Sequence, residues 1–249
     1  MLRILLVALL AVSSLRAEAL TVAAASDLVY CLEELNAAFR KMHPQADLKV
    51  TTGASGTIFA QIQNGAPIDV FLSADVKYPR ELIKAGLAEE KSLTIYAIGH
   101  LVVWTNKDGM DVSSGLAALD AAALKKIAIA NPEHAPYGRA AKAALEKAGL
   151  WDRVQGRLVF GENISQTAQF VETGNADAGI VALSLVMSPR LAKTGRWTPV
   201  PADAHPKLEQ AAVLTKRGAA NPLASEYLDF LGSKEAREVF DRYGFRVSE

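Results

Sequence analysis

Within residues 48–74 the chain reads strand, tight turn, short helix, tight turn, strand, and no other stretch limits the fold as strongly. Leu48-Lys49-Val50-Thr51-Thr52 has the β-branched content and alternation of a strand. Gly53-Ala54-Ser55-Gly56 is a small-residue turn opening a helix that carries Ile58, Phe59 and Ile62 on one side. Gly65-Ala66-Pro67 ends that helix, and Val70-Phe71-Leu72 resumes as a buried strand. The turn also has chemistry. A helix start behind Gly and Ser presents unpaired backbone N–H groups, a partial positive charge and the Ser55 hydroxyl, which together suit an anion. Serine is equally a preferred N-cap, so Ser55 capping its own helix is the competing reading.

The same alternation runs through the chain. Strands are predicted at 20–24, 127–130, 157–160, 177–182 and 211–215. Helices are predicted from about residue 27 to Met42 and at 76–85, 116–126, 138–148, 164–173, 222–231 and 234–243. Residues 197–206 are proline-rich and read as irregular. The apolar stretch 92–105, broken by Gly99-His100, is too long for one ordinary strand. It is either two strands or one segment passing between two domains. The pattern predicts an α/β fold of mostly parallel sheets flanked by helices on both faces, divided into two lobes.

The N-terminus reads as an address. Met1-Leu2-Arg3 is positive, residues 4–12 are unbroken apolar, and Ala17-Glu18-Ala19 is an A-x-A cleavage pattern. Residues 1–19 therefore read as a secretory signal peptide, too short to span a bilayer. Losing Arg3, Arg16 and Glu18 reduces 27 basic and 27 acidic side chains to 25 and 26, a net charge of −1. The mature chain is expected to be exported, soluble and periplasmic. Near-neutral charge opposes nucleic-acid binding. Cys31 is the one cysteine, so no internal disulfide forms. Bulky Tyr30 before it and the missing apolar run oppose lipidation, and Cys31 is expected on the buried face of the first helix with Leu28, Leu32, Leu35 and Phe39. His43, His100, His134 and His205 have no metal-ligand spacing, and the familiar catalytic motifs are absent.

Four turns join a strand to a helix start and are rich in small or polar groups: Ala25-Ser26-Asp27, Ala54-Ser55-Gly56, Pro136-Tyr137-Gly138 and Asn163-Ile164-Ser165. Ligands of open α/β sheets sit beyond the carboxyl ends of strands. Two turns come from each half of the chain, so a cleft between lobes brings them face to face. Singly, each has a plainer explanation: Ser26 and Asn163 as caps, Tyr137 as a surface aromatic, Ile164 as packing. Jointly they point to a small-anion site.

These residues resemble the molybdate-binding component of bacterial molybdate importers, in the type II periplasmic binding protein superfamily. The resemblance runs through Thr21-Val22-Ala23-Ala24-Ala25-Ser26, Gly53-Ala54-Ser55-Gly56-Thr57, residues 65–75, residues 131–138, Gly161-Glu162-Asn163-Ile164-Ser165-Gln166, Ala178-Gly179-Ile180-Val181 and Arg242-Tyr243-Gly244-Phe245. It implies a monomeric protein, not an enzyme, that closes on a tetrahedral dianion and delivers it to an ATP-driven ABC permease. By the resemblance, Ser26 and Ser55 give hydroxyl and backbone donors from the first lobe. Tyr137 and Ile164 give donors from the second, with Asn163 and Ala182 as further candidates. Some members place a tyrosine where this chain has Ala182, and Tyr137 is then the source of the missing hydroxyl. Molybdenum is bound only as the oxyanion, without cofactor. Tungstate is expected beside molybdate, with sulfate and phosphate as alternatives.

None of the four turns centres on Lys or Arg, so a dianion must be held by neutral dipoles. Desolvation costs several kcal/mol, and each hydrogen bond to a charged acceptor returns about 1.5–3 kcal/mol. About six or seven donors then suffice. Asp27, in a first helical turn, is expected to point outward in an ordinary dipole role; if inward, it favours hydrogen phosphate, whose proton needs an acceptor. A secreted serine hydrolase using Ser55 or Ser26 with His134, and the sensing lobes of a regulator, are the readings from other classes. Lobe 1 is expected to span residues 20–98 and 211–249, and lobe 2 residues 99–210.

Overall fold

The 48–74 stretch builds the parallel unit that its pattern requires. The computed structural model describes residues 18–246. β1 (Glu18–Ala25), β2 (Ala46–Gly53) and β3 (Val70–Ser73) run parallel, connected through α1 (Val29–Met42) and α2 (Ser55–Gln63). Then come α3 (Lys77–Lys84), β4 (Thr94–Gly99), β5 (Leu101–Thr105), β6 (Ile127–Ala130) and α4 (Pro136–Lys147). α5 (Trp151–Val154), β7 (Leu158–Gly161), α6 (Ile164–Glu172), β8 (Ala178–Ala182) and α7 (Leu183–Val186) follow. The chain ends with β9 (Arg196–Pro199), β10 (Leu208–Leu214), α8 (Pro222–Leu231) and α9 (Lys234–Arg242).

Two five-stranded sheets result, ordered β2-β1-β3-β10-β4 and β7-β6-β8-β5-β9. In each, four strands point one way and one is reversed: β10 in the first sheet, β5 in the second. Both reversed strands are the first after the chain crosses between sheets. The apolar run 92–105 is thus two strands in different sheets, separated by His100 alone. The return crossing enters β10 at Leu208, which stands opposite Gly99 in register. The expected return point near Gln210 falls inside that strand.

Each sheet is buried on both faces. In the first, Leu28, Cys31, Leu32, Leu35 and Phe39 pack with Tyr227 and Phe240 of the C-terminal helices. Its other face packs Phe71 and Val213 on Ile58, Ile62 and Leu82. The second core gathers Trp104, Leu119, Ile129, Leu145 and Ile180. Cys31 sits where the helical pattern put it. The expected leader lies outside the described residues except for its last two, Glu18 and Ala19, which begin β1. No helix among the described residues is long and apolar enough to cross a membrane.

Three expectations need correction. The Ala-rich segment 116–126 is not an α-helix: a short 3₁₀ segment, Gly115–Asp120, gives way to turns. Arg157 donates to the carbonyls of Leu119, Ala121 and Leu124 at 3.2, 2.9 and 2.9 Å, and the Lys125 and Lys126 N–H groups bond the Asp177 carboxylate. Side chains elsewhere satisfy the backbone that a helix would have satisfied itself, so tertiary partners override alanine's propensity. Residues 196–199 form β9, an edge strand on β5 whose proline comes last, where no further ladder donor is needed. α4 begins at Pro136, in the first-turn position where a missing N–H costs nothing.

Arg157→Ala removes the guanidinium that donates to three carbonyls, of which Ala121 O keeps the Leu124 N–H. It is expected to lower the unfolding free energy by about 1–3 kcal/mol, read as a shift in urea midpoint at constant slope.

Candidate functional site

The carboxyl ends of β1, β2 and β3 face those of β6 and β7, and the turns leaving them meet around one small cavity. Ser26, Ser55, Tyr137 and Ile164 all line it, with Ala25, Ala54, Ala135 and Pro136 beside them. The cavity measures about 10 Å³. Asn163 and Ala182 are not on its wall. Asn163 is instead the N-cap of α6, its side-chain oxygen accepting from Gln166 N at 3.0 Å. Ala182 pairs with Leu101 inside the second sheet, where its side chain is part of the core.

The caps explain why these turns suit an anion. α2 and α4 are preceded by Ala54 and Ala135, which have no side-chain oxygen to satisfy the first helical N–H groups, and Ala25 likewise precedes Ser26. Ser55 therefore does not cap its helix; it is the first residue inside it. Its Oγ accepts from Ala74 N at 3.0 Å, leaving the hydroxyl proton free to be donated. Ser26 Oγ similarly accepts from Ser165 N at 3.3 Å, across the two lobes. Among the described residues no Lys, Arg or His is part of the cavity wall.

Further contacts fasten one side of the cleft to the other. Gly56 N donates to His134 O at 2.9 Å, and Ser184 Oγ donates to Asp27 O at 2.7 Å. At the rim Arg139 pairs with Asp75 and donates to Tyr78 Oη at 3.0 Å. Gly56 must be glycine for this approach, because a Cβ there would stand 2.5 Å from Tyr78 Oη and 2.7 Å from His134 O.

Asp27 overturns the outward expectation. It is 1% exposed, lines the cavity, and neither carboxylate oxygen has a hydrogen-bond partner. Burial raises its pKa to about 7, tempered by the Tyr137 hydroxyl, its own backbone and the Gln210 side chain. Gln210 Nε2 donates to Tyr137 Oη at 3.3 Å, and Tyr96 Oη donates to Gln210 Oε1 at 3.4 Å. Burial and the neighbouring Asp27 push the Tyr137 and Tyr96 phenols well above their ordinary range. This polar line was not singled out in the sequence. The one signal for it is the polar Gln210 immediately before the apolar run Ala211-Ala212-Val213-Leu214. His134 Nε2 is buried without a hydrogen-bond partner, so no bond joins it to either serine.

Comparison with known proteins gives the family and the fold. The profile of a family described as bacterial extracellular solute-binding protein matches residues 20–246. The molybdate-binding protein ModA of Azotobacter vinelandii is 40% identical over 226 residues, covering 90% of this chain and 88% of the relative. ModA of Rhodobacter capsulatus is 40% identical over 194 residues, covering 78% and 75%. The chain belongs to the bacterial extracellular solute-binding protein family. The structure of the Azotobacter vinelandii periplasmic molybdate-binding protein superposes with a TM-score of 0.87 at 34% identity, covering 92% of this chain and all of that one. Within this family fold, the cavity lies where the two lobes of the present chain meet.

Gly56→Ala is expected to weaken anion binding at least about tenfold, measured by titration calorimetry, while thermal unfolding of the ligand-free protein changes little. For Asp27 the native state holds a proton that the unfolded chain, near pKa 3.8, releases. Its share of stability is full below about pH 4 and is lost as pH rises toward 7. Asp27→Asn is expected to flatten that part of the pH–stability curve.

Proposed function

We propose that this chain is the exported, periplasmic binding component of a molybdate importer. It captures molybdate, and tungstate beside it, between lobe 1 (residues 20–99 and 208–246) and lobe 2 (residues 100–207). It then hands the anion to a membrane-embedded ABC permease. It acts as a monomer, without cofactor and without catalysis, and molybdenum is held only through the oxygens of its oxyanion. The observation that carries this reading is the convergence of Ser26, Ser55, Tyr137 and Ile164 on one cavity walled without a basic side chain. The relatives named as molybdate-binding proteins supply the choice of metal.

The mechanism follows from the donors. A tetrahedral dianion offers only acceptors, and the Ser26 and Ser55 hydroxyls together with the uncapped starts of α2 and α4 offer donors. Half the shell stands on each lobe, so the anion is fully coordinated only when the lobes are together. Ligand binding therefore favours the closed arrangement by its differential affinity for it. Against a hydrolase stands the engagement of both serine hydroxyls with backbone N–H groups and the lack of any serine–histidine bond. A phosphate-binding reading is kept by one observation, the buried Asp27 carboxyl, which can accept the proton of hydrogen phosphate.

Calorimetric titration with molybdate, tungstate, sulfate and phosphate is expected to show molybdate and tungstate binding far tighter than the other two; phosphate equal to molybdate overturns the assignment. Ser55→Ala is expected to weaken molybdate about ten- to a hundredfold, since one bond to a charged acceptor is lost, with the far-UV dichroism unchanged.

A further inference from the structure

Among the described residues Asp27 is the one acidic residue that lines the cavity, and its buried carboxyl is out of place there. An ionised carboxylate beside a dianion is a like-charge pair in a poorly solvated space. The usual remedy, a basic partner, is missing. From α4 the facing group is the Tyr137 phenol, from β4 the Tyr96 phenol, from β10 the neutral Gln210 amide and from α1 the Cys31 thiol. From α7 the Ser184 hydroxyl reaches only the Asp27 carbonyl. From α6 come Ile164 and Ser165, whose N–H is taken by Ser26. The acid at the far end of α6, Glu172, is paired with Arg190. β2 ends here in Thr52 and Gly53, with Lys49 and Asp47 paired to each other at its exposed start. Arg139 is turned to Asp75 and Tyr78. Among the described residues no cation is placed to balance Asp27.

We propose that Asp27 carries a proton whenever a fully deprotonated oxyanion is bound, so that the cleft takes up the anion and one proton together and Asp27 sets which oxyanions it accepts. The proton comes from solvent and goes onto one Asp27 carboxylate oxygen; no other bond is made or broken. As the neutral acid, Asp27 adds a donor to the wall and no charge. Burial places its titration near neutrality, so the exchange falls within an ordinary pH range. The same residue treats hydrogen phosphate differently. That anion brings its own proton to the ionised carboxylate, and the site then needs none from solvent. Selectivity for molybdate over phosphate thus falls as pH rises. The inference rests on the oxyanion reading above and goes beyond it in assigning the proton.

The test is molybdate titration of the full mature chain from about pH 6 to about pH 9, repeated in buffers of different ionisation enthalpy to count protons. Above about pH 7 the wild-type Kd is expected to rise toward tenfold per pH unit, with close to one proton taken up. In Asp27→Asn the Kd is expected to be flat and the proton count near zero, while His134→Gln, which alters the imidazole beside the cleft, keeps the uptake. A flat wild-type profile without uptake overturns the proposal, as does uptake that survives in Asp27→Asn or vanishes in His134→Gln. The wild-type count decides without the variants should they fold poorly. Molybdate failing to bind at any pH defeats the ligand assignment itself, whereas binding without proton uptake defeats only this inference.

Discussion

A doubly charged anion leaving water must find as many donors as it loses, and the cavity of this chain offers donors almost without formal charge. Alanine at the caps of α2 and α4 is the decisive choice. Alanine is a poor cap because it leaves the first N–H groups of a helix unbonded, a liability of about 1 kcal/mol in an ordinary surface helix. Where those groups face a shared cavity, the same deficit becomes binding capacity. The serines inside the turns accept from the backbone, which fixes their orientation and leaves their protons to be given away. The rest of the architecture serves to bring such turns from two sheets within reach of one another.

The cavity is not isolated from the joint between the lobes. Tyr137 lies on the wall, yet its hydroxyl is bonded to Gln210 on the first strand after the return crossing, and Gln210 in turn holds Tyr96 on the strand that leaves. Gly99 at the outgoing crossing packs directly against that hydroxyl, which leaves no room for a larger residue. The wall of the site and the pivot of the fold therefore share side chains, joined by a short chain of hydrogen bonds.

Much of this was legible in the sequence because it depends on local pattern. The 48–74 unit, the break at Gly99-His100, the buried face around Cys31 and the two C-terminal helices follow from periodicity and turn residues that act over a few positions. The four converging residues were readable for the same reason: each sits in a small-residue turn between a strand and a helix. What stayed hidden depends on partners far away in sequence. Residues 116–126 have the composition of a helix, but Arg157 and Asp177 claim their backbone. Asn163 and Ala182 were drawn toward the site by motif alone, while geometry gives one a capping role and the other a place in a core. Asp27 is the instructive case. An acid in a first turn ordinarily looks to solvent, and only the packing of Tyr137 and Gln210 over it shows otherwise.

The side-by-side placement of Gly99 and Leu208 limits how the two halves can travel. Two connections that leave a sheet at neighbouring points act as the spine of a book, permitting one angle and suppressing slide and twist. Displacement then grows with distance from the spine. Contacts between the halves that lie beside the spine therefore part least as the halves open.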